Sequence, residues 1–180
     1  MFNLFVTPAQ AGVPLQSSWF RKSAIRAFAG MTILVLATAA AAQEKQPPYW
    51  ASIASGQAMT RTGPGKNYPG VWLYQRRDLP VRVVKKYQNW RLIQDPEGAQ
   101  GWMLVTLLSD RRTAVVKPGD PRPVRTSPGD SAKTRYLAQQ GVVGRIGKCR
   151  DGWCRIEIGK REGYVSTADI WGVGAGETVD

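Results

Sequence analysis

Two cysteines, Cys149 and Cys154, and a few paired carboxylates are the side chains whose spacing in this sequence could do chemistry, because histidine is absent altogether. Without an imidazole there is no Ser-His-Asp or Cys-His constellation and none of the usual His-rich zinc hydrolase sites. Glu157 with Glu162, or Asp95 with Glu97, could in principle work as general acid and base. Each of them falls in a strand or turn pattern that accounts for its polarity without catalysis, so no catalytic residue, cofactor or metal is expected, and the chain is expected not to be an enzyme. The cysteines are not spaced C-x-x-C, and two thiols without histidine do not complete a zinc site. They flank Arg150-Asp151-Gly152-Trp153, which predicts a hairpin tip with a four-residue loop. Cysteines so placed face each other on neighbouring strands near the roughly 5.5 Å Cα separation that a disulfide accepts. In an oxidising envelope the pair is expected to be bonded, as a staple rather than a redox centre.

The element that must position these residues is a repeat. Arg61-Thr62-Gly63-Pro64-Gly65 returns as Arg125-Thr126-Ser127-Pro128-Gly129, and the match continues through Trp90-Arg91-Leu92 with Trp153-Cys154-Arg155-Ile156 and Gly101-Trp102-Met103 with Gly163-Tyr164-Val165. The offset drifts only from 64 to 62, as expected of two copies of one folded unit that have lost single turn residues. Each copy is about sixty residues, a size that buries only about 60% of its unfolded surface, so packing of one copy on the other or a covalent staple would help.

Ahead of the repeat, residues 27–42 carry no charge and follow Arg21, Lys22 and Arg26. That pattern predicts a secretory signal segment over residues 1–42, with an extended lead-in and an A-x-A cleavage site at Ala40-Ala41-Ala42. The apolar run is shorter than the roughly 20 residues of a spanning helix, so no stable membrane insertion is expected after cleavage, and the location is expected to be periplasmic or secreted. Residues 43–180 hold 22 Lys plus Arg against 13 Asp plus Glu, a net charge of +9. A basic surface favours anionic partners. An exported protein seldom meets nucleic acid, and the cations are scattered as Arg76-Arg77, Lys85-Lys86, Arg111-Arg112 and Lys160-Arg161, so no nucleic-acid partner is expected.

Both copies read as strands. Val81-Arg82-Val83 and Arg155-Ile156-Glu157-Ile158 alternate with period two, as a sheet with one buried face requires. Asp95-Pro96-Glu97-Gly98 has Pro and Gly where a type I turn wants them. Short strands separated by such turns predict an all-β chain of small barrels or sandwiches.

The order Arg61-Thr62-Gly63-Pro64-Gly65-Lys66-Asn67-Tyr68-Pro69, a W-x-h strand at Trp90, a Gly-aromatic strand at Gly101-Trp102 and the closing Ile170-Trp171-Gly172-Val173 resembles the bacterial SH3-like (SH3b) domain. The second copy keeps Arg125, Pro128-Gly129, Gly152-Trp153 and Gly163-Tyr164 but has Ala132 at the place of Tyr68. The resemblance implies two tandem SH3-like barrels of five or six strands, used as targeting or binding modules for peptides or cell-wall material. The expected organisation is a flexible leader over residues 43–49, a first domain over 50–109, a short link, a second domain over 114–172 and a loose tail over 173–180.

A ligand groove is expected in the first domain, where Tyr68, Trp72, Tyr74, Tyr87, Trp90 and Trp102 gather. Trp102 and Tyr164 follow glycine in an internal strand and are expected in the core. Tyr68 lies in a Gly/Pro-rich loop where no packing period asks for an aromatic, so it is the leading ligand-binding candidate, with Asn67, Arg61 and Trp90 as companions. Ala132 makes the second domain mainly structural. Peptidoglycan or its carboxylate-bearing stem peptides are the favoured partner. A peptide of an envelope enzyme is the alternative, and anionic lipid or lipopolysaccharide bound through charge is the third.

Overall fold

The computed structural model describes residues 45–179; the expected signal segment and its cleavage site lie outside the described residues. Two all-β domains follow one another. The first has strands β1 (Tyr49–Ile53), β2 (Ala58–Arg61), β3 (Gly70–Tyr74), β4 (Pro80–Tyr87), β5 (Trp90–Gln94), β6 (Gln100–Leu104) and β7 (Leu108–Ser109), hydrogen-bonded in the order β3-β2-β6-β5-β4-β1-β7. The second repeats it with β8 (Thr113–Val116), β9 (Arg122–Arg125), β10 (Thr134–Ala138), β11 (Val143–Arg150), β12 (Trp153–Ile158), β13 (Arg161–Ser166) and β14 (Ile170–Trp171), in the order β10-β9-β13-β12-β11-β8-β14. All pairings are antiparallel. The count of seven exceeds the five or six expected because a single 3-10 turn in each domain is followed by a two-residue strand, β7 or β14, that closes against β1 or β8.

Period-two patterning builds both cores. On β4, Val81 and Val83 are fully buried while Arg82 points to solvent, and they meet Ile53, Ile93 and Met103. The second core gathers Val116, Val124, Ile156, Val165 and Ile170. The same alternation overturns the expected burial of Trp102 and Tyr164, which are only half-buried. Gly101 and Gly163 hold the inward positions instead: a Cβ there would lie 2.6 Å from Thr60 Cβ or from Val124 Cγ1. The aromatic after each glycine therefore turns outward, opposite Arg61 or Arg125 on the neighbouring strand.

The hairpin tips differ from the expected four-residue loop. Arg150 pairs with Trp153, so the turn is two residues, Asp151 and Gly152, both with positive φ, the pattern of a type I′ turn. Cys149 and Cys154 are consequently one step further in, directly opposite, with Cα atoms 4.1 Å apart and a disulfide between them. So close an approach marks a non-hydrogen-bonded pair. The Cys149 N–H and C=O thus face away from β12, and Val179 takes both, at 2.9 and 3.2 Å. The equivalent positions in the first domain are Lys86 and Arg91. There the buried Arg91 guanidinium donates to the carbonyls of Gln88 and Trp90 and to Tyr49 Oη.

The chain after β14 is held, in contrast to the loose tail expected. Glu177 accepts from the Gly174 N–H at 2.7 Å and pairs with Arg112 of the link at 2.6 Å, and Arg112 also donates to the Gly172 carbonyl. Burial works against the charge of Glu177, but Arg112, the Gly174 N–H and a hydrogen bond from Trp50 outweigh it and hold the carboxyl below the usual carboxylate range. Trp50 of the first domain also meets Trp171 of the second edge-on, ring centroids 4.7 Å apart, and Arg111 pairs with Asp78 across the link. At the other end Lys45 pairs with Asp110.

Candidate ligand-binding loop and its strand

The repeated Arg-Thr-x-Pro-Gly run builds a loop before it builds a site. Arg61 Nη1 donates to the Tyr68 carbonyl and Arg125 Nη1 to the Ala132 carbonyl, both at 2.7 Å. Thr62 N–H bonds to Pro69 O as Thr126 N–H bonds to Lys133 O, and Tyr68 N–H to Gly65 O as Ala132 N–H to Gly129 O. A guanidinium on a backbone carbonyl is a charge-assisted bond, so the arginine clamps the ends of the loop. Arg61, expected as a ligand contact, therefore spends one face of its guanidinium on the loop that carries Tyr68.

Within that frame the two copies differ at five positions, and two of these, 63 and 68, are coupled by contact. The Tyr68 ring lies against Gly63 and Gly65, so closely that a Cβ on Gly63 would enter the ring. Where the tyrosine becomes Ala132, the residue matching Gly63 is Ser127. Glycine at 63 is thus the seat of the ring. One ring face is packed and the residue is 43% exposed, a rigid aromatic surface that loses little freedom on binding. Asn67 is exposed beside it, its side chain folded over Gly65. The structure thus brings Arg61, Asn67 and Tyr68 together.

Trp90 does not join them. It is 8% exposed, set between Tyr87 and Leu104 as their strand partner, and its burial at the hairpin tip makes it a packing residue rather than a ligand face. Tyr74 is also committed: its hydroxyl donates to Asp95 Oδ2 at 2.9 Å, and burial, followed by that bond, pushes its pKa upward. Asp95 in turn accepts from the Glu97 and Ala99 N–H groups and closes the Asp95–Gly98 turn. Glu162 lies opposite Glu157 and pairs with Arg155. Every carboxylate singled out by spacing except Glu97 and Glu157 has a side-chain partner in these contacts.

The loop runs directly into β3, whose Val71, Trp72 and Leu73 are all exposed, with Met59 of β2 opposite Leu73. The consecutive Val-Trp-Leu was the available signal: three apolar residues in a strand must put at least one on each face, and only one face of an SH3-like sheet has a core. A separate cleft of about 630 Å³ lies between the Pro96-Glu97 turn of the first domain and Val115, Lys117, Gln140 and Trp171 of the second. It contains none of the sequence-derived ligand residues. Among the described residues no group of three or more cysteine, aspartate or glutamate side chains is placed to hold a metal, and no helix is long and apolar enough to cross a membrane.

A bacterial SH3 domain model matches residues 54–110 and again residues 119–172. No curated protein matches the chain. Among solved structures it is similar to NlpC2 from Trichomonas vaginalis, at 11% identity and a TM-score of 0.31 over 71% of this chain and 49% of that one. NlpC1 from the same organism gives 12% and 0.31 over 72% and 48%, and an NlpC/P60 family protein from Bacillus cereus 13% and 0.31 over 68% and 56%. The chain thus spans about half the length of these structures.

Proposed function

The chain belongs to the bacterial SH3 domain family, with two copies of the domain in tandem, and from that premise we propose that it is a non-catalytic binding module of the cell envelope, exported to the periplasm or beyond. Its ligand on this reading is peptidoglycan, recognised through the stem peptides at the Tyr68 loop of the first domain. The observation that supports this most is the Tyr68 ring, seated on Gly63 and Gly65, half-exposed and present in one domain only. Stem peptides are short and carry free carboxylates, and the loop is cationic: Arg61 and Lys66 are unopposed by any Asp or Glu between residues 58 and 77. Such a field steers an anionic ligand, while the aromatic face supplies salt-insensitive contact.

Co-sedimentation of the purified protein with peptidoglycan sacculi, at physiological and several-fold higher salt, tests this. Binding is expected to survive the added salt and to weaken about tenfold in Tyr68→Ala, in line with ~1.4 kcal/mol for an aromatic contact. Binding lost to salt alone, or unaltered in Tyr68→Ala, would remove the groove and leave adhesion by charge. A second reading, an adaptor that docks a peptide of an envelope enzyme, draws on the apolar strand β3 next to the loop.

A further inference from the structure

We infer that the outer edge of β3 is a strand-acceptor site, which takes an extended, acidic segment of a partner protein with apolar side chains at alternate positions. The inference rests on the adaptor reading and gives it a place, a binding mode and a partner chemistry.

Four observations carry it. First, β3 is the last strand of its sheet: it pairs with β2 on one side and, among the described residues, with no strand on the other. An open edge presents a row of main-chain donors and acceptors that an incoming strand can satisfy. Second, this edge lacks the usual protection. Gly70-Val71-Trp72-Leu73-Tyr74 carries no charge, and Val71, Trp72 and Leu73 are 44%, 57% and 48% exposed. The matching strand of the second domain, β10, carries Arg135, and the Arg161 guanidinium lies over its Tyr136 ring at 5.8 Å.

Third, the exposed side chains lie on both faces of the sheet. Leu73 is opposite Met59 on the outer face, whereas Trp72 is opposite Thr60, which is wholly buried, and so shares the core face. Trp72 is uncovered because the sheet ends there. A flat surface such as a membrane meets one face at a time. A strand added alongside β3 would put alternate side chains above and below the sheet and cover both. Fourth, charge selects the partner. Residues 58–77 hold Arg61, Lys66, Arg76 and Arg77 and no Asp or Glu. Antiparallel pairing with a second copy would set Arg76 and Arg77 of one chain beside Lys66 of the other, a like-charge contact that disfavours self-pairing, whereas an acidic strand meets cations at both ends.

The probe is a blocked eight-residue peptide alternating Glu and Val, added to the full protein, with amide hydrogen exchange read by NMR and Trp72 by fluorescence. The expected result is at least tenfold slower exchange at backbone amides within Gly70–Tyr74, a blue-shifted emission, and at least tenfold weaker binding in Arg76→Glu/Arg77→Glu, which changes only exposed side chains. No binding at millimolar peptide would overturn the inference together with the adaptor reading. Binding without protection of β3 would overturn the inference alone and leave the adaptor reading standing. Equal binding of the peptide alternating Lys and Val, equal protection by phosphatidylglycerol vesicles, or concentration-dependent protection without peptide would each replace the acidic strand by another occupant and overturn it as well. Sacculus binding of the same double variant reports separately on the Tyr68 loop.

Discussion

The two domains share a strand order, an arginine clamp and an inward glycine, yet they are held at the hairpin tip and opened to solvent in different ways. In the first, the tip is braced by the buried Arg91 guanidinium; in the second, by a disulfide and by Val179 added outside Cys149. The first exposes Tyr68, Met59, Val71, Trp72, Leu73 and Tyr87, the second only Leu137 among its large apolar side chains. What both retain therefore belongs to the fold: Arg61 and Arg125, Gly101 and Gly163, the bond across each loop. What only one carries is free to serve a ligand or to compensate a weaker core.

The largest effect is expected at the shared glycines. Gly163→Val is expected to destabilise the second domain by about 3 kcal/mol, the upper end for overpacking, because its Cβ would lie 2.7 Å from the Arg125 carbonyl oxygen as well as against Val124. Gly101→Val should cost less, since the three nearest atoms it meets belong to the Thr60 side chain and none to the backbone. Urea denaturation of the two variants checks the order, and equal losses would show that the backbone contact is not what distinguishes them.

Next comes the disulfide. Cys149→Ala/Cys154→Ala is expected to lower stability by about 2 kcal/mol, the loop-closure value for so short a ring. The loss should be confined to the second domain, as read from amide exchange of β11 and β12 against β4 and β5. Complete alkylation of the native protein without reductant would exclude the bond.

The exchange of the loop residues sharpens the comparison at lower energy. Gly63→Ser is expected to match Tyr68→Ala in sacculus binding, about tenfold, because it fills the seat of the ring, while the fold tolerates serine there, as Ser127 shows. Ala132→Tyr alone should add nothing, whereas Ser127→Gly/Ala132→Tyr should give the second loop a ring in the same place. Binding gained by the single change would detach the glycine from the aromatic.

The smallest effect concerns the segment after β14. Glu177 has a folded pKa below its unfolded value, so its contribution is present above the ordinary carboxylate pKa and is lost as pH falls through the depressed one. Protection factors of the Val179 and Cys149 amides, corrected for the intrinsic slowing of exchange in acid, should fall on acidification through that range, and Glu177→Gln should remove that fall.

Much of this was legible in the residues. A period-two alternation and a motif repeated at an offset of 64 to 62 state the all-β class and the duplication directly, since side-chain period and self-similarity are properties of the chain itself. The pairing of Cys149 with Cys154 followed from their separation, because a hairpin can bring residues that close together in only a few ways. Tyr68 stands out in the sequence as an aromatic without a core period, but its seat on Gly63 was hidden, since the contact is made by a loop folding back on itself. Trp90 and Trp102 exchanged places with expectation for the same reason: which face of a strand is inward depends on the strands laid beside it. The binding of the tail by Arg112 and Glu177, 65 residues apart, and the exposure of β3 at the end of its sheet were decided only by tertiary structure, because a strand becomes an edge through the order in which the others pair.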